Sequence, residues 1–293
     1  MNNFITLISS LFIITLQTST PLLFAALGGI LSERSGVINI GLEGMMLTGA
    51  FAGGAIGVLT GNPWIGILGA IFAGSIMGLI HAVFCLKLRA NHVISGLAIN
   101  IFASGLTIFL TQAFFNGERS FEITKRFTSI GPFIPLVYIG ILLVFILQGF
   151  LYRIPTGLRL RATGELPIAA DTAGVNVMKY KFMAVIASGA LAAIGGAYLP
   201  YFAGSFTKDM SAGRGYIALA AVIFGNWNPG RAFIACLIFG LAEAMQMTFS
   251  NSIIPSQFMK MLPYIITIIA LVGFIGKSTP PYSLGKPYEK RES

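Results

Sequence analysis

Glu43 is the ionisable residue whose surroundings most suggest a functional role. The stretch 35–46, SGVINIGLEGMM, is otherwise mostly apolar and contains three glycines. An ionisable group in such surroundings is costly at membrane depth, so it faces a bundle interior, a water-filled cavity or a partner group. Glycines also permit an interrupted helix whose free backbone groups line a cavity. We therefore predict that Glu43 and Asn39 border a solute pathway. The alternative is a carboxylate near the membrane interface that pairs with a basic residue.

A stripe of polar side chains occupies the stretch 93–115. Asn100, Ser104, Thr107 and Thr111 are spaced by four, three and four residues, which places them on one helix face. This face could line a polar solute path. It could equally form hydrogen bonds between helices, worth about 0.6 kcal/mol each, and the two roles are compatible.

A second glycine-interrupted stretch is 211–225, SAGRGYIALAAVIFG, followed by NWNPG. Like 35–46, it opens with serine and glycine close together. On the topology derived below, the two stretches start on opposite sides of the membrane, as inverted repeats do. Tyr216 in this stretch is a further candidate for the pathway. Glu243 and Gln246 form another polar pair at helical spacing, with the same two interpretations as the stripe.

Catalytic and metal-binding patterns are missing from the sequence. Its histidines are His81 and His92, and no Ser/His/Asp elbow or zinc spacing accompanies them. Cys85 and Cys236 each lie inside an apolar run, so neither a disulfide framework nor a metal site is expected. We predict that the chain is not an enzyme and holds no cofactor or metal.

The composition indicates a membrane protein. Hydrophobic residues make up 55% of the 293 residues and charged residues only 10%, against roughly 25% charged in soluble domains. The net charge of +9 is scattered in short runs, which disfavours a nucleic-acid partner. Glycines repeat every four residues at 53, 57 and 61 and at 74 and 78, which predicts close helix contacts.

The apolar runs define the elements that must position these residues. About 20 apolar residues cross a bilayer as a helix. Predicted spans are 4–31, 37–59, 64–87, 93–115, 133–152, 182–202, 232–250 and 262–276, and the short run 216–225 reaches about halfway across. The expected fold class is all-α: a polytopic membrane helix bundle of about 8–10 transmembrane segments with interrupted helices. We expect residues 1–293 to form a single transmembrane domain.

Basic residues predict the orientation, because cytoplasmic loops retain positive charge. The stretch 153–181 holds five of the 19 lysines and arginines and is the best cytoplasmic candidate. If 216–225 crosses the membrane, thirteen of them lie inside and six outside; if it re-enters, nine lie inside and ten outside. We predict nine segments, with the amino terminus outside.

The stretch 153–181 also contains a helix signal. Pro167 suits a first helical turn and Gly174 suits a helix end, which predicts a short helix at 167–173 along the cytoplasmic face. This stretch is either the docking site of an energy-supplying partner or an ordinary solvated connector.

Four segments, in order along the chain, carry a family resemblance: 33–44 (ERSGVINIGLEG), 94–100 (ISGLAIN), 157–174 (GLRLRATGELPIAADTAG) and 215–225 (GYIALAAVIFG). They resemble ABC importer permeases of the branched-chain amino acid and ribose permease superfamily, most closely its nucleoside-uptake branch. The resemblance covers nearly the whole chain. It implies the membrane-spanning subunit of an ATP-driven importer for nucleosides, with purine nucleosides favoured and a sugar or a branched-chain amino acid as the alternative. From the residues alone, an ion-coupled carrier, a channel and a membrane-bound enzyme are the other classes.

The resemblance also implies partners and residue roles. The helix at 167–173 inserts into an ATP-hydrolysing subunit, and the residues assigned to this coupling are Gly164, Glu165, Pro167, Ala169, Ala170, Asp171 and Gly174. Interrupted segments border the pathway, which suits Glu43, Asn100 and 216–225. The implied complex contains a second permease, cytoplasmic ATPase subunits that use the ATP, and an extracytoplasmic substrate-binding lipoprotein. It lies in a bacterial cell membrane.

Overall fold

A computed structural model describes residues 2–115, 117, 118, 120–249, 261, 265 and 278–288. Its described helices are α1 Asn2–Arg34, α2 Leu42–Thr60, α3 Pro63–Ala82 with a π-helical extension Val83–Lys87, α4 His92–Phe114, α5 Pro135–Arg153, α6 Pro155–Glu165, α7 Pro167–Thr172, α8 Val177–Ala203, α9 Arg214–Phe224 and α10 Pro229–Phe249. Seven of them are long and apolar enough to cross a membrane. The predicted helical bundle is confirmed. The predicted span 262–276 lies outside the described residues, apart from Ile265.

The chain alternates between two ends of the bundle. Strand β1, Ser120–Glu122, follows α4 and pairs antiparallel with β2, Ser205–Thr207, which follows α8. These two strands of three residues mark the sheet end and are, within the described residues, the exception to the all-α prediction. The α7 end lies opposite: there the Arg34 side chain, at the end of α1, contacts Glu165 and the carbonyl of Trp227. The segment from β2 through α9 to Trp227 therefore runs from the sheet end to the α7 end. This is expected if residues 216–225 are part of a segment that crosses the membrane.

Small residues let the central helices approach closely. At Gly78 of α3 an added Cβ would lie 2.7 Å from the carbonyl oxygen of Val185 in α8, and Gly53 of α2 packs on Ala197 of α8. The predicted close contacts are thus confirmed for these glycines. Gly61 differs, because it ends α2 in the left-handed conformation, with φ +63°.

The chain is not helical between α1 and α2, over residues 35–41, although a helix was predicted from residue 37. Side chains satisfy the freed backbone groups. Ser32 Oγ donates to the Val37 carbonyl at 2.7 Å, His81 Nε2 lies 3.0 Å from the Ile38 carbonyl oxygen, and the Ile38 N–H donates to His92 Nδ1 at 3.3 Å. The two histidines therefore support the interruption that precedes Glu43.

The stretch 153–181 is more helical than predicted. A short helix at 167–173 is confirmed as α7, whereas α6 occupies residues that were expected to be irregular. Proline begins both helices, where its missing N–H costs nothing. The prediction that α8 begins at residue 182 is wrong, since it begins at Val177 and includes Lys181, which is 1% exposed.

Candidate functional site

The amino-terminal ends of α2 and α9 meet at Glu43. Its Oε1 accepts a hydrogen bond from the Gly213 N–H at 2.8 Å, and its Oε2 accepts one from the Gly215 N–H at 2.7 Å. Glu43 itself lies in the first turn of α2. First-turn N–H groups have no partner within their own helix, and the helix dipole favours negative charge there. The carboxylate therefore joins two helix starts that the sequence had placed in separate interrupted stretches.

Gly215 makes this meeting sterically feasible. A Cβ added there would lie 2.5 Å from both Cα and N of Glu43. The α9 backbone therefore passes directly over the first turn of α2. Gly213 precedes it with φ +85°, a left-handed conformation that favours glycine. Both glycines set the position of the two N–H donors.

Asn100 connects this meeting point to α4. Its Oδ1 accepts the Gly44 N–H at 2.8 Å, while its Nδ2 donates to the Ile40 carbonyl at 3.1 Å and to the Tyr216 hydroxyl at 2.8 Å. The Tyr216 side chain is 44% exposed. We refer to Glu43, Asn100 and Tyr216 as the Glu43 cluster. It combines carboxylate oxygens, amide groups and an accessible aromatic ring.

The other predicted pathway residues separate into two groups. Ser104 belongs near the cluster, because its hydroxyl donates to Asp209 Oδ1 at 2.7 Å in the loop before α9. Thr107 is 1% exposed and bonds the Ala103 carbonyl of its own helix at 2.8 Å. Asn39 is fully buried and donates to Ser188 Oγ of α8 at 2.9 Å. The structure therefore brings Ser104 to the region of α9 and leaves Thr107 and Asn39 in packed surroundings.

Arg214 fixes the loop that leads into α9. It forms an ion pair with Glu243 of α10, and its Nη1 donates to the Met210 and Ser211 carbonyls at 3.2 and 3.3 Å. The sequence had singled out Glu243 only with Gln246. Paired charges with additional hydrogen bonds are the form in which half-buried ions are tolerated.

The opposite end of α9 has a set of contacts that sequence reasoning missed. Arg34 Nε donates to the Trp227 carbonyl at 2.9 Å, and its Nη2 donates to the Asn226 carbonyl at 3.2 Å. The Trp227 indole N–H donates to the buried carboxylate of Glu33. Arg34 Nη1 also lies 3.8 Å from Glu165 Oε1. About 190 residues separate Glu33 and Arg34 from Trp227 in the sequence; only the NWNPG turn and the 33–44 motif signalled these contacts.

The residues predicted for coupling lie together at the α7 end. Gly164 contacts the backbone of Arg34 so closely that a side chain has no room. Pro167 begins α7, Gly174 follows it with φ +81°, Ala169 is exposed and Ala170 is buried. The pKa of the Tyr288 hydroxyl is raised, mainly by burial and to a smaller extent by its interaction with the Asp171 carboxylate. The role of these residues stays a prediction.

Among the described residues, no group of three or more His, Cys, Asp or Glu side chains is arranged to hold a metal ion. The ionisable groups of the site instead bond to backbone N–H or carbonyl groups, and the arginines also pair with a carboxylate. This chemistry suits the binding and passage of a polar solute.

Comparisons with known proteins identify the family. A model of the branched-chain amino acid transport system / permease component family matches residues 11–271. The chain is 40% identical to the guanosine ABC transporter permease protein NupQ of Bacillus subtilis, over 94% of this chain and 95% of that protein. It is 37% identical to the nucleoside ABC transporter permease protein NupC of Lactococcus lactis, over 93% and 94%. It is 35% identical to the putative glucose ABC transporter permease protein TsgC13 of Haloferax volcanii, over 88% and 89%.

The family match spans most of the described bundle, from α1 through α10, and includes all three residues of the Glu43 cluster. The seven long apolar helices agree with a transport subunit that crosses the membrane repeatedly. This chain therefore belongs to the family of branched-chain amino acid transport system permease components and is a multi-pass ABC transporter permease.

Proposed function

We propose that the chain moves nucleosides, purine nucleosides in particular, through the membrane by alternating access, with the Glu43 cluster as part of the path. The observation that carries this proposal is the meeting of two interrupted segments at Glu43, beside Asn100 and the exposed Tyr216. Binding at the junction of discontinuous helices is a common design in transporters. The nucleoside assignment is supported by the activities named for NupQ and NupC.

The groups of the cluster match the chemistry of a nucleoside. A carboxylate offers about four lone-pair sites, so Glu43 retains about two after accepting two backbone N–H groups. These can accept hydrogen bonds from ribose hydroxyls or from base N–H groups. The Tyr216 ring offers a face on which a base can stack, at about 1–3 kcal/mol per base in other proteins. A sugar would use the carboxylate and the amide but gain less from the ring.

The energy for uphill transport comes, in this proposal, from ATP hydrolysed by a separate subunit that contacts α7. Support comes from the exposure of apolar side chains there: Leu166 is 59% exposed and Ile168 is 55% exposed. Exposed apolar residues grouped on a short element are typical of a protein-binding surface. A second permease and an extracytoplasmic binding lipoprotein complete the proposed complex.

Transport by the purified complex in liposomes tests the proposal. ATP-dependent uptake of labelled guanosine should be inhibited by unlabelled adenosine and unaffected by glucose, ribose or leucine. A complex with a hydrolysis-deficient ATPase is the control and should give no uptake. If glucose competes and adenosine does not, the substrate is a sugar, as the name of TsgC13 suggests for that relative. If the active complex takes up none of these solutes, the nucleoside proposal is refuted.

A further inference from the structure

Residues 278–288 form a strap that is bonded to the segment joining α6 and α7. The Ser283 N–H and hydroxyl both donate to the Gly164 carbonyl, at 3.0 and 2.6 Å. The Tyr282 N–H donates to Glu165 Oε2 at 3.1 Å, and the Gly285 N–H donates to the Gly36 carbonyl at 3.0 Å. These bonds hold the strap against both the α6–α7 junction and the interrupted segment after α1.

The strap and α7 enclose a groove. Its volume is about 430 Å³, and it is lined on one side by residues 165–168 and on the other by Tyr282, Lys286, Pro287 and Tyr288. At the far end of the strap, the Tyr288 hydroxyl interacts with the Asp171 carboxylate of α7, and its pKa is raised by burial and by this interaction. Tyr282 is 69% exposed and its ring lies 4.2 Å from the Lys286 ammonium. A lining of apolar and aromatic side chains with a few polar groups is the usual composition of a protein-binding hot spot.

The charge of this region indicates the chemistry of its partner. The stretches 155–172 and 278–288 contain three basic side chains, Arg159, Arg161 and Lys286, and two acidic ones, Glu165 and Asp171. Glu165 is paired with Arg34, which leaves the single carboxylate of Asp171 against the three basic side chains. The remaining charge is therefore positive, and a complementary surface is acidic.

We propose that the strap is the second wall of the ATPase docking site. The groove then receives an apolar side chain of the ATPase subunit that is flanked by carboxylates, and the strap lies beside α7 in the same interface. This inference rests on the proposed function, because it takes α7 as the ATPase contact. It adds a segment near the carboxyl terminus to a docking site that the sequence located only at 153–181.

Retention of the ATPase subunit by the purified complex tests the inference. Lys286→Glu and Tyr282→Ala should each weaken ATPase binding at least about five-fold, and the effect of Lys286→Glu should shrink at high salt because exposed charges are screened. Lys125→Glu is the control: Lys125 is exposed just after β1, at the sheet end opposite the groove, and the change should alter binding by less than about two-fold. Ile168→Asp, on α7, tests the underlying ATPase contact.

The outcomes separate the two proposals. If Ile168→Asp releases the ATPase while both strap variants bind as tightly as Lys125→Glu, the strap inference is wrong and α7 docking stands. If Ile168→Asp also binds normally, α7 docking fails as well. Photo-crosslinking provides a measurement that needs no loss of binding. A benzophenone placed on Lys286→Cys should crosslink to the ATPase subunit and one on Lys125→Cys, at the sheet end, should not; labelling of the two native cysteines is limited by their burial. Equal crosslinking at both positions would overturn the inference.

Discussion

The two ends of α9 are held in opposite ways by neighbouring parts of the chain. At its start, the Glu43 carboxylate accepts the N–H groups of Gly213 and Gly215. Beyond its other end, the Arg34 guanidinium donates to the carbonyls of Asn226 and Trp227. An anion at the amino-terminal end of a helix and a cation at the carboxy-terminal end both match the helix dipole. Interactions of this kind contribute about 0.3–1 kcal/mol each at exposed sites and up to about 2 kcal/mol when partly buried.

The surroundings of these two ends differ in a way that suggests separate tasks. The Glu43 end is part-exposed and lies beside Asn100 and the accessible Tyr216 ring, so a solute can compete for its groups. The Arg34 end contains the buried Glu33 and reaches Glu165 next to α7. We infer that α9 links the docking end to the pathway, with its start as the part that changes contacts during transport. The variants that follow test whether the two ends of α9 have these separate roles.

The largest effect is expected from Gly215→Val. A side chain cannot fit where a Cβ would lie 2.5 Å from the Glu43 backbone, so α9 must move away from α2. Uptake should fall at least about ten-fold, the effect of losing about 1.4 kcal/mol. Gly105→Val on α4 is the control, because an added Cβ there meets nothing within 4 Å. Equal uptake by the two variants at equal protein abundance would refute the close contact.

Arg34→Gln tests the other end and should separate ATP hydrolysis from transport. It removes donors to two carbonyls and the contact with Glu165, and charge-assisted hydrogen bonds contribute about 1.5–3 kcal/mol each. Nucleoside moved per ATP hydrolysed should fall at least about five-fold, while the ATPase subunit stays bound. The exposed Arg153→Gln should leave this ratio unchanged. A normal ratio in Arg34→Gln would contradict the linking role of α9.

Tyr216→Phe should have a smaller effect that appears in KM. It retains the ring but removes the hydroxyl that accepts the bond from Asn100, so an increase in KM of about three-fold is expected for guanosine. Tyr138→Phe is the matched control, because its hydroxyl donates to the Ile130 carbonyl at the sheet end. If Tyr138→Phe raises KM as much as Tyr216→Phe, the Tyr216 hydroxyl makes no specific contribution to the solute pathway.

The smallest predicted effect concerns Ser104 and Thr107, two of the polar residues that share one face of α4. Ser104→Ala removes the bond to Asp209 in the loop before α9 and should lower uptake by about two-fold. Thr107→Ala removes only bonds to carbonyls of its own helix, so uptake per folded protein should be unchanged. Initial uptake rates normalised to folded permease give the comparison. A larger loss in Thr107→Ala would reverse the assignment of these two residues.

Hydropathy was enough to predict the membrane-spanning helices, because apolar runs as long as those of α3 and α4 are compatible with few other structures. It failed for α6, because residues 155–165 contain one proline, two glycines and two arginines and show no clear apolar period. The Glu43 stretch and the 211–225 stretch were both recognised from their glycines. Their direct contact could not be predicted, because about 170 residues separate the partners and only the packed topology brings them together.

The contacts around Arg34 were even harder to predict from the sequence. Arg34 was used only as a positive charge and as part of the 33–44 motif, and Glu33 appeared only inside that motif. Their roles depend on the carbonyls and the indole N–H of the Asn226–Trp227 turn, whose two residues have φ +50° and +53°. Backbone carbonyls have no sequence signature, so such contacts become visible only in three dimensions.

Uptake by Glu43→Gln is the most direct test of whether the Glu43 carboxylate is part of the solute path. A glutamine has one acceptor oxygen and presents its NH₂ group to the second backbone N–H, so α9 loses one of its two bonds to α2 and the charge between the helix starts disappears. Glu122→Gln, exposed on β1, is the control. The account predicts that Glu43→Gln assembles with the ATPase yet transports guanosine at least about ten-fold more slowly than Glu122→Gln. Equal transport at equal abundance would contradict it.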